Sequence, residues 1–379
     1  FEILQVVSQV LYNGKAGLID LDLNQQQKVL NSYGYPMGLA DYSAFILGGL
    51  PKQGQMLEEV KDLLLNEIKK LRAGEFDEKM LQANINNFKL YELQSMESNE
   101  GRADIFVNSF INGTNWEDEV TAIDRMAKLT KEDIVAFADK YLKEDNYAVV
   151  YKKQGKDPNE KKMTKPEITP IVSNRDVASP FLTSIQENAV KPIEPVFLDF
   201  KKDMSQLTAK SDIPVLYKQN TTNDLFQLIY VFDMGNNNDK ALGTAFDYLE
   251  YLGTSDMTPE ELKSEFYRLA CTFYVSPGNE RTYVVLSGLN ENMPAAMQLF
   301  EKLLADAQVN KEAYDNLVGD ILKARADAKL NQGQNFSRLM NYAMYGPKSP
   351  ATNLLTEAEL ASMNPQELVD RIHNQNNYK

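Results

Sequence analysis

Apolar residues recur at three- and four-residue steps along several stretches of the chain, the spacing that one buried face of a helix requires. The clearest stretch is DKALGTAFDYLEYLGT, residues 239–254, where we expect a buried helix that ends at Gly253 with positive φ. Further amphipathic helices are predicted over residues 2–11, 55–71, 77–96 and 101–110. Thr130, with Asp133 three residues later, predicts one more helix that begins with a capping box.

Alternation of apolar with other residues predicts strands between these helices. The expected strands cover residues 42–50, 146–151, 215–218, 225–232 and 283–289. Turn-forming residues at 220–224 predict that the two strands beside them form a hairpin. The sequence YGYP at residues 33–36 is interpreted as a turn. Helices and strands in this mixture predict an α+β protein.

The composition changes between residues 152 and 212. Lysines and prolines are frequent there and show little periodicity, which is typical of an extended tether. We therefore predict one domain over residues 1–151, a linker over 152–212 and a second domain over 213–379. A basic binding patch is the alternative interpretation of the lysines.

Landmarks of the first domain recur in the second at a nearly constant offset in the numbering. Gly14 and Gly253, Gly49 and Gly288, and Leu64 and Leu303 all share one offset. A second, slightly shorter offset relates Asp77 to Asn310 and Gly113 to Gly346. The capping box at Thr130 has a counterpart at Asn364 at nearly the same offset. A constant offset that changes once indicates a duplication with one deletion. The sequence thus predicts two homologous α/β units.

Three polar residues lie at helical spacing in the best-defined stretch. Asp247, Glu250 and Tyr251 occupy positions i, i+3 and i+4, which share one helix face. This DxxEY segment, with the LGT after it, resembles the HxxEH helix of the insulinase-like (pitrilysin, M16) zinc peptidases. In HxxEH, two histidines bind one zinc ion beside a general-base glutamate. The resemblance extends over nearly all the chain through LRAGEFDEKMLQANINNF, ESNEGRADIF, LTKEDIVAFADKYL and NENMPAAMQLFEKLL.

The resemblance implies a fold and a place in a larger protein. The fold is of the LuxS/MPP-like metallohydrolase type, with an antiparallel sheet in each unit and helices packed on it. The first domain resembles an M16 C-terminal-type domain that lacks its start, and the second a degenerate N-terminal-type domain that lacks its end. The missing start leaves a sheet edge unpaired, and such edges invite pairing with another chain, so we expect a homo-oligomer formed through it.

The resemblance also implies an activity for the intact protein. The chain would be the non-catalytic central part of a zinc metalloendopeptidase that hydrolyses peptides, with zinc and HxxEH in a preceding domain. Its partners would be the missing N- and C-terminal domains or a partner subunit, and peptide substrates. The alternative is an inactive M16 homologue that acts as a scaffold or partner subunit. The resemblance favours a periplasmic or other extracytoplasmic location over the cytoplasm.

Candidate zinc ligands are scarce in the chain itself. It contains one histidine, His373, and one cysteine, Cys271, so neither a two-histidine site nor a cysteine cluster can form. Asp320, in the segment NLVGDILKAR well after Tyr251, is a weak counterpart of the third zinc ligand of the family. We therefore expect no catalytic residue, no cofactor and no metal site in this chain.

Charge and hydropathy narrow the range of partners. The net charge is −14, which opposes binding to a phosphate backbone, so no nucleic-acid partner is expected. No uninterrupted apolar run reaches the length of a membrane span. A single cysteine cannot form an internal disulfide and leaves the compartment open.

Overall fold

A computed structural model describes residues 1–39, 41–156, 161, 163–171, 173 and 175–374. Contacts between residues divide the chain into two compact units. The larger unit consists of Phe1–Ala148 together with Asn220–Lys379, and the smaller one of Val149–Gln219. Most of both predicted domains therefore belongs to a single compact unit.

The first part of the larger unit is a hairpin with helices packed against it. It contains α1 (Glu2–Leu11), β1 (Asn31–Gly38), β2 (Ser43–Leu50), α2 (Leu57–Arg72), α3 (Lys79–Ser95), α4 (Asn99–Asn112), α5 (Trp116–Val120), α6 (Ala122–Met126) and α7 (Lys131–Tyr141). A π-helical segment, Asp20–Gln25, follows α1. Helices α1, α2 and α7 meet in one hydrophobic core, where Leu11, Leu71 and Ile134 are fully buried.

The smaller unit contains helix α8 (Pro180–Gln186) and the strands β3 (Ser205–Thr208) and β4 (Pro214–Tyr217), with a short 3-10 helix (Lys210–Asp212) between the strands. The two strands pair antiparallel. The predicted linker at 152–212 therefore contains regular structure as well as extended chain. Its residues 157–160, 162, 172 and 174 lie outside the described residues.

The second part of the larger unit is built around a three-stranded sheet. It contains β5 (Leu225–Phe232), α9 (Leu242–Leu249), α10 (Pro259–Arg268), β6 (Cys271–Pro277), β7 (Thr282–Leu289), α11 (Met293–Asp306), α12 (Lys311–Ala328), α13 (Gln332–Tyr345), α14 (Glu357–Ser362) and α15 (Pro365–His373), with short 3-10 helices at Asn290–Asn292, Gly346–Lys348 and Pro350–Thr352. The strand order is β5-β7-β6, and both pairings are antiparallel. Phe266, Phe273 and Phe300 join the sheet to its helices. The ring centroid of Phe273 lies 5.0 Å from that of Phe266 and 4.8 Å from that of Phe300.

The predicted α+β class is confirmed, because helices pack against small antiparallel sheets. The capping box at Thr130 is also confirmed: its hydroxyl accepts the Asp133 N–H, and the Asp133 carboxylate accepts the Thr130 N–H. Strands β2 and β7 lie within one residue of their predicted bounds.

Three local predictions are wrong. The strands at 215–218 and 225–232 do not pair with each other, because β5 buries Phe226 and Phe232 in the β7 sheet while β4 pairs with β3. Residues 146–151 form no strand, and Val149 and Val150 are exposed. Residues 33–36 lie inside β1, where Tyr33 and Tyr35 stack with ring centroids 6.2 Å apart.

The order strand, strand and three helices occurs twice in the larger unit. Strands β2 and β7 end at Leu50 and Leu289, and helices α4 and α13 begin at Asn99 and Gln332, which reproduces the two offsets found in the sequence. The two sheets differ at one edge. Strand β7 pairs with β5 and β6, whereas β2 pairs only with β1 among the described residues. We call the unpaired side of β2 the open β2 edge.

Candidate functional site

Helix α9 carries the first of the predicted positions. Leu242, Ala245 and Leu249 bury one face of this helix in the core of the second part. Asp247 lies on the opposite face of the same helix, and Glu250 is its C-terminal cap. Tyr251 follows in a tighter turn, because its N–H donates to the Tyr248 carbonyl at 3.0 Å. The three positions therefore do not share one continuous helix.

The predicted end of this helix at Gly253 is wrong. Helix α9 ends at Leu249, and Gly253 does not have positive φ. The glycine instead permits a close approach of two backbone segments, since a Cβ at this position would lie 2.4 Å from the carbonyl oxygen of Met257. Its own carbonyl accepts the N–H of Gln308 at 2.9 Å. Gly253 thus fixes the loop after the helix rather than its last turn.

Asp320, the proposed counterpart of a third ligand, lies on α12. Its Oδ1 is 3.8 Å from the ammonium of Lys52, which follows β2 in the first part of the unit. Both side chains are about one-fifth exposed, at 20% and 22%. Burial raises the pKa of Asp320, and the charge of Lys52 opposes this effect. The pair connects the two parts of the larger unit.

A polar cavity of about 210 Å³ brings the predicted positions together. Glu250, Tyr251 and Asp320 line it from the second part, although Asp320 is remote from the other two in sequence. Asp247 is not among the lining residues. The opposite wall comes from the first part of the unit and includes Tyr12, Lys15 and Asp20.

The phenol of Tyr251 is held in its protonated form. Burial, followed by the negative charges of Glu250, Asp320 and Asp247, raises the pKa of Tyr251 to about 12. Loss of solvent around the carboxyl and the charge of Glu250 also raise the pKa of Asp247. Negative charge therefore accumulates around the position where HxxEH places its second histidine.

Asp20 is a buried carboxylate that the sequence analysis missed. Its Oδ2 accepts the backbone N–H groups of Asn13, Gly14 and Gly17 at 2.8, 3.1 and 3.0 Å. Burial raises the pKa of Asp20 to about 6 against the effect of these bonds. The Asn-Gly turn with an aspartate after it was the only signal in the sequence, and such turns are common at surfaces.

Lys263 faces Asp20 and Glu250 from helix α10. Its ammonium lies 5.9 Å from the centroid of the Tyr251 ring, a cation–π distance. Burial lowers the pKa of Lys263, and the charges of Glu250 and Asp20 partly offset this. Sequence reasoning also missed this residue, because a lysine on an amphipathic helix is normally assigned to the solvated face.

The side chains around this cavity do not fit a zinc ion. Zinc in proteins is bound by thiolate, neutral imidazole and carboxylate, and its ligands must be deprotonated. Here the phenol of Tyr251 is protonated at neutral pH, and the ammonium of Lys263 lies beside it. Among the described residues, no three His, Cys, Asp or Glu side chains form a group that could hold a metal ion.

His373 and Cys271 lie elsewhere in the larger unit and do not line the cavity. Cys271 is buried at the start of β6, where burial raises the pKa of its thiol to about 11. Its thiol is therefore neutral and poorly suited to nucleophilic attack. His373 is the last residue of α15.

Comparisons with known proteins show similarity at the level of structure. No protein-family description and no curated protein matches the sequence. The solved structures that match include members of the M16 peptidase family, which the DxxEY segment resembles.

Three of these structures illustrate the level of similarity. The periplasmic protease PqqL from Escherichia coli is 14% identical, with 98% of this chain and 43% of that chain covered and a TM-score of 0.41. The ferredoxin protease FusC, an E83A mutant in complex with Arabidopsis ferredoxin, is 12% identical. The match covers 99% of this chain and 43% of that chain, with a TM-score of 0.43. A peptidase M16 inactive domain from Pseudomonas fluorescens is 15% identical. The match covers 45% of this chain and 43% of that chain, with a TM-score of 0.39. The chain thus spans less than half the length of PqqL and of FusC, and the match to the Pseudomonas fluorescens domain covers less than half of either chain.

None of the helices within the described ranges combines the length and the apolar character needed to cross a bilayer.

Proposed function

We propose that this chain is the non-catalytic central part of a zinc metalloendopeptidase of the M16 family. One observation carries the proposal: Glu250, Tyr251 and Asp320, the counterparts of two HxxEH positions and of the third ligand, line the same cavity. The positions are close together, while the donor groups differ from those of a zinc site. This combination is what descent from a zinc enzyme with loss of its ligands would leave.

The proposal includes a duplication and a division of labour. The equal order and nearly constant offset of elements in the two parts support an origin from one repeated unit. In the intact protein, a preceding domain with HxxEH would bind zinc and hydrolyse peptide bonds. The units described here would help to form the wall of a chamber that holds the peptide. An extracytoplasmic compartment belongs to the same proposal.

The interacting surfaces are also part of this proposal. The missing N- and C-terminal domains, or a partner subunit, would cover surfaces of the larger unit. The open β2 edge is one such surface, because a strand without a partner presents a row of backbone hydrogen-bonding groups. When the chain is present without these domains or a partner, we expect it to form a homo-oligomer through the open β2 edge.

A second candidate function is that of an inactive M16 homologue acting as a scaffold or partner subunit. The protonated Tyr251 and the ammonium of Lys263 at the cavity favour it, since they are unsuited to metal-assisted hydrolysis. The two candidate functions differ in the sequence that they predict upstream of this chain. The encoding gene either specifies HxxEH in a preceding domain or does not.

The test compares the full gene product with this chain. Zinc content and cleavage of an unstructured peptide are measured for both, together with a Glu→Gln variant of any upstream HxxEH. We expect zinc and cleavage only in the longer protein, with cleavage lost in the variant. Zinc or cleavage in this chain alone would contradict the proposal, and absence of both from the longer protein would favour the scaffold.

A further inference from the structure

The cavity between the two parts of the larger unit contains charges of both signs. Lys15 and Lys263 supply positive charge, and Asp20, Glu250 and Asp320 supply negative charge. A ligand that is only an anion would be repelled by three carboxylates, and one that is only a cation by two ammonium groups. The lining therefore favours a ligand that itself carries both charges.

Several of these polar groups lack a partner within the protein. The ammonium of Lys263 forms no ion pair, and the hydroxyls of Tyr12 and Tyr251 form no hydrogen bond, within the described part of the chain. A partly buried ammonium that forms no ion pair costs free energy, because the charges of Glu250 and Asp20 only partly offset its loss of water. A bound carboxylate would supply the missing partner and accept hydrogen bonds from these donors.

The opposite charge is already held in place. All three backbone N–H groups that bind Asp20 donate to Oδ2, so Oδ1 has no hydrogen bond among the described residues. Asp20 is only 6% exposed, and its position is fixed by the loop at 13–17. It would accept a hydrogen bond from a ligand ammonium without moving.

The size of the cavity limits the ligand further. Pockets for drug-sized molecules measure roughly 300–1,000 Å³. This cavity, at about 210 Å³, is smaller and accommodates only a molecule of few heavy atoms. Lys263 lies on the wall from the second part of the unit, and Asp20 lies on the wall from the first part. A ligand bound to both would therefore bridge the two parts.

We propose that this cavity is a binding site for a free α-amino acid, with the ligand carboxylate on Lys263 and the ligand ammonium on Asp20. The inference goes beyond the function proposed above and does not depend on it. It requires neither zinc nor a preceding domain.

Glycine and its two chemical halves provide the test. Binding of glycine, acetate and methylammonium to the whole chain is measured by saturation-transfer NMR and calorimetry at equal ionic strength. We expect glycine to bind, and each half, which satisfies only one side of the cavity, to bind at least about tenfold more weakly. Absence of glycine binding, or binding of acetate or methylammonium as tight as that of glycine, would overturn the proposal.

Variants then locate the site. Lys263→Met and Asp20→Asn are each expected to weaken glycine binding at least about tenfold. Lys311→Met removes a lysine that pairs with Asp315 on α12 and serves as the matched control, with unchanged binding expected. Retention of full affinity by both Lys263→Met and Asp20→Asn would exclude this cavity. The comparison of the three ligands on the unaltered chain requires no variant to fold.

Discussion

The hydroxyl of Tyr248 forms two hydrogen bonds with the backbone of Asn310: it donates to the carbonyl oxygen at 2.6 Å and accepts the N–H at 2.8 Å. Tyr248 is fully buried on α9, and Asn310 is the N-cap of α12. This contact fixes the start of the helix that carries Asp320 against the helix that carries Asp247. The phenol thus contributes to the relative placement of the DxxEY segment and Asp320, together with the hydrophobic core that the two helices share.

Removal of this hydroxyl should destabilise the protein. Tyr248→Phe leaves the N–H of Asn310 without a partner, while the Asn310 carbonyl keeps the N–H of Tyr314, so we expect a loss of about 1–2 kcal/mol in the free energy of unfolding. Chemical denaturation monitored by circular dichroism measures the change. Tyr342→Phe, at a side chain that is 53% exposed, is the control and should change stability little. Equal stability of both variants would show that the contact contributes nothing.

Asp20 should make stability depend on pH. Its pKa is raised from 3.8 to about 6 in the folded protein, so the folded state binds a proton more tightly than the unfolded state. The associated stability is present below the unfolded pKa and is lost as pH rises through about 6, a change of about 2–3 kcal/mol. Asp20→Asn does not titrate. As pH rises from 4 to 7, the free energy of unfolding of the unaltered protein should therefore fall relative to that of Asp20→Asn. A difference that stays constant over this range would refute the raised pKa of Asp20.

A buried polar contact joins the two parts of the larger unit. The hydroxyl of Tyr267 on α10 donates to Oδ1 of Asn84 on α3 at 2.8 Å, and burial raises the pKa of this phenol. A double-mutant cycle of Tyr267→Phe and Asn84→Ala should give a coupling energy of about 1 kcal/mol. The same cycle with Asn341→Ala, on α13, should be additive. Additivity in both cycles would mean that the contact is not energetically coupled.

The open β2 edge should influence self-association. Ile46 lies in the middle of β2, opposite Tyr35, and a lysine there would place charge beside the unpaired backbone groups. If chains associate through this edge, sedimentation velocity should show oligomers that Ile46→Lys dissociates. Ile193→Lys, at a side chain that is 95% exposed in the smaller unit, is the matched control. Oligomers that persist in Ile46→Lys would place the interface elsewhere, and a monomeric unaltered chain would refute association.

Local patterns predicted the elements that local forces determine. The capping box at Thr130 and the strand β7 follow from neighbouring residues, so their positions could be read from the sequence. The pairing of β5 with β7 could not, because the intervening α9, α10 and β6 bring together residues far apart in sequence. The turn predicted around Tyr35 failed because a strand partner, β2, overrides the local preference of Gly and Pro.

The same distinction applies to the site. Helical spacing together with the resemblance to HxxEH identified Glu250 and Tyr251, and the same resemblance identified Asp320, which the structure places at the same cavity. Asp20 and Lys263 could not be identified, since the hydrogen bonds of Asp20 depend on how the loop at 13–17 folds, and Lys263 comes near Asp20 only when the two parts of the unit pack together. The shortened α9 was also unforeseen, because the close backbone approach at Gly253 depends on Met257.

The central claim is that this chain keeps the arrangement of a zinc-peptidase module without a metal site. Zinc content of the purified chain, measured by mass spectrometry after incubation with one equivalent of zinc and dialysis, tests it most directly. The account predicts no retained zinc, and the same result for Glu250→Gln. One tightly held zinc ion per chain that disappears in Glu250→Gln or Asp320→Asn would contradict it.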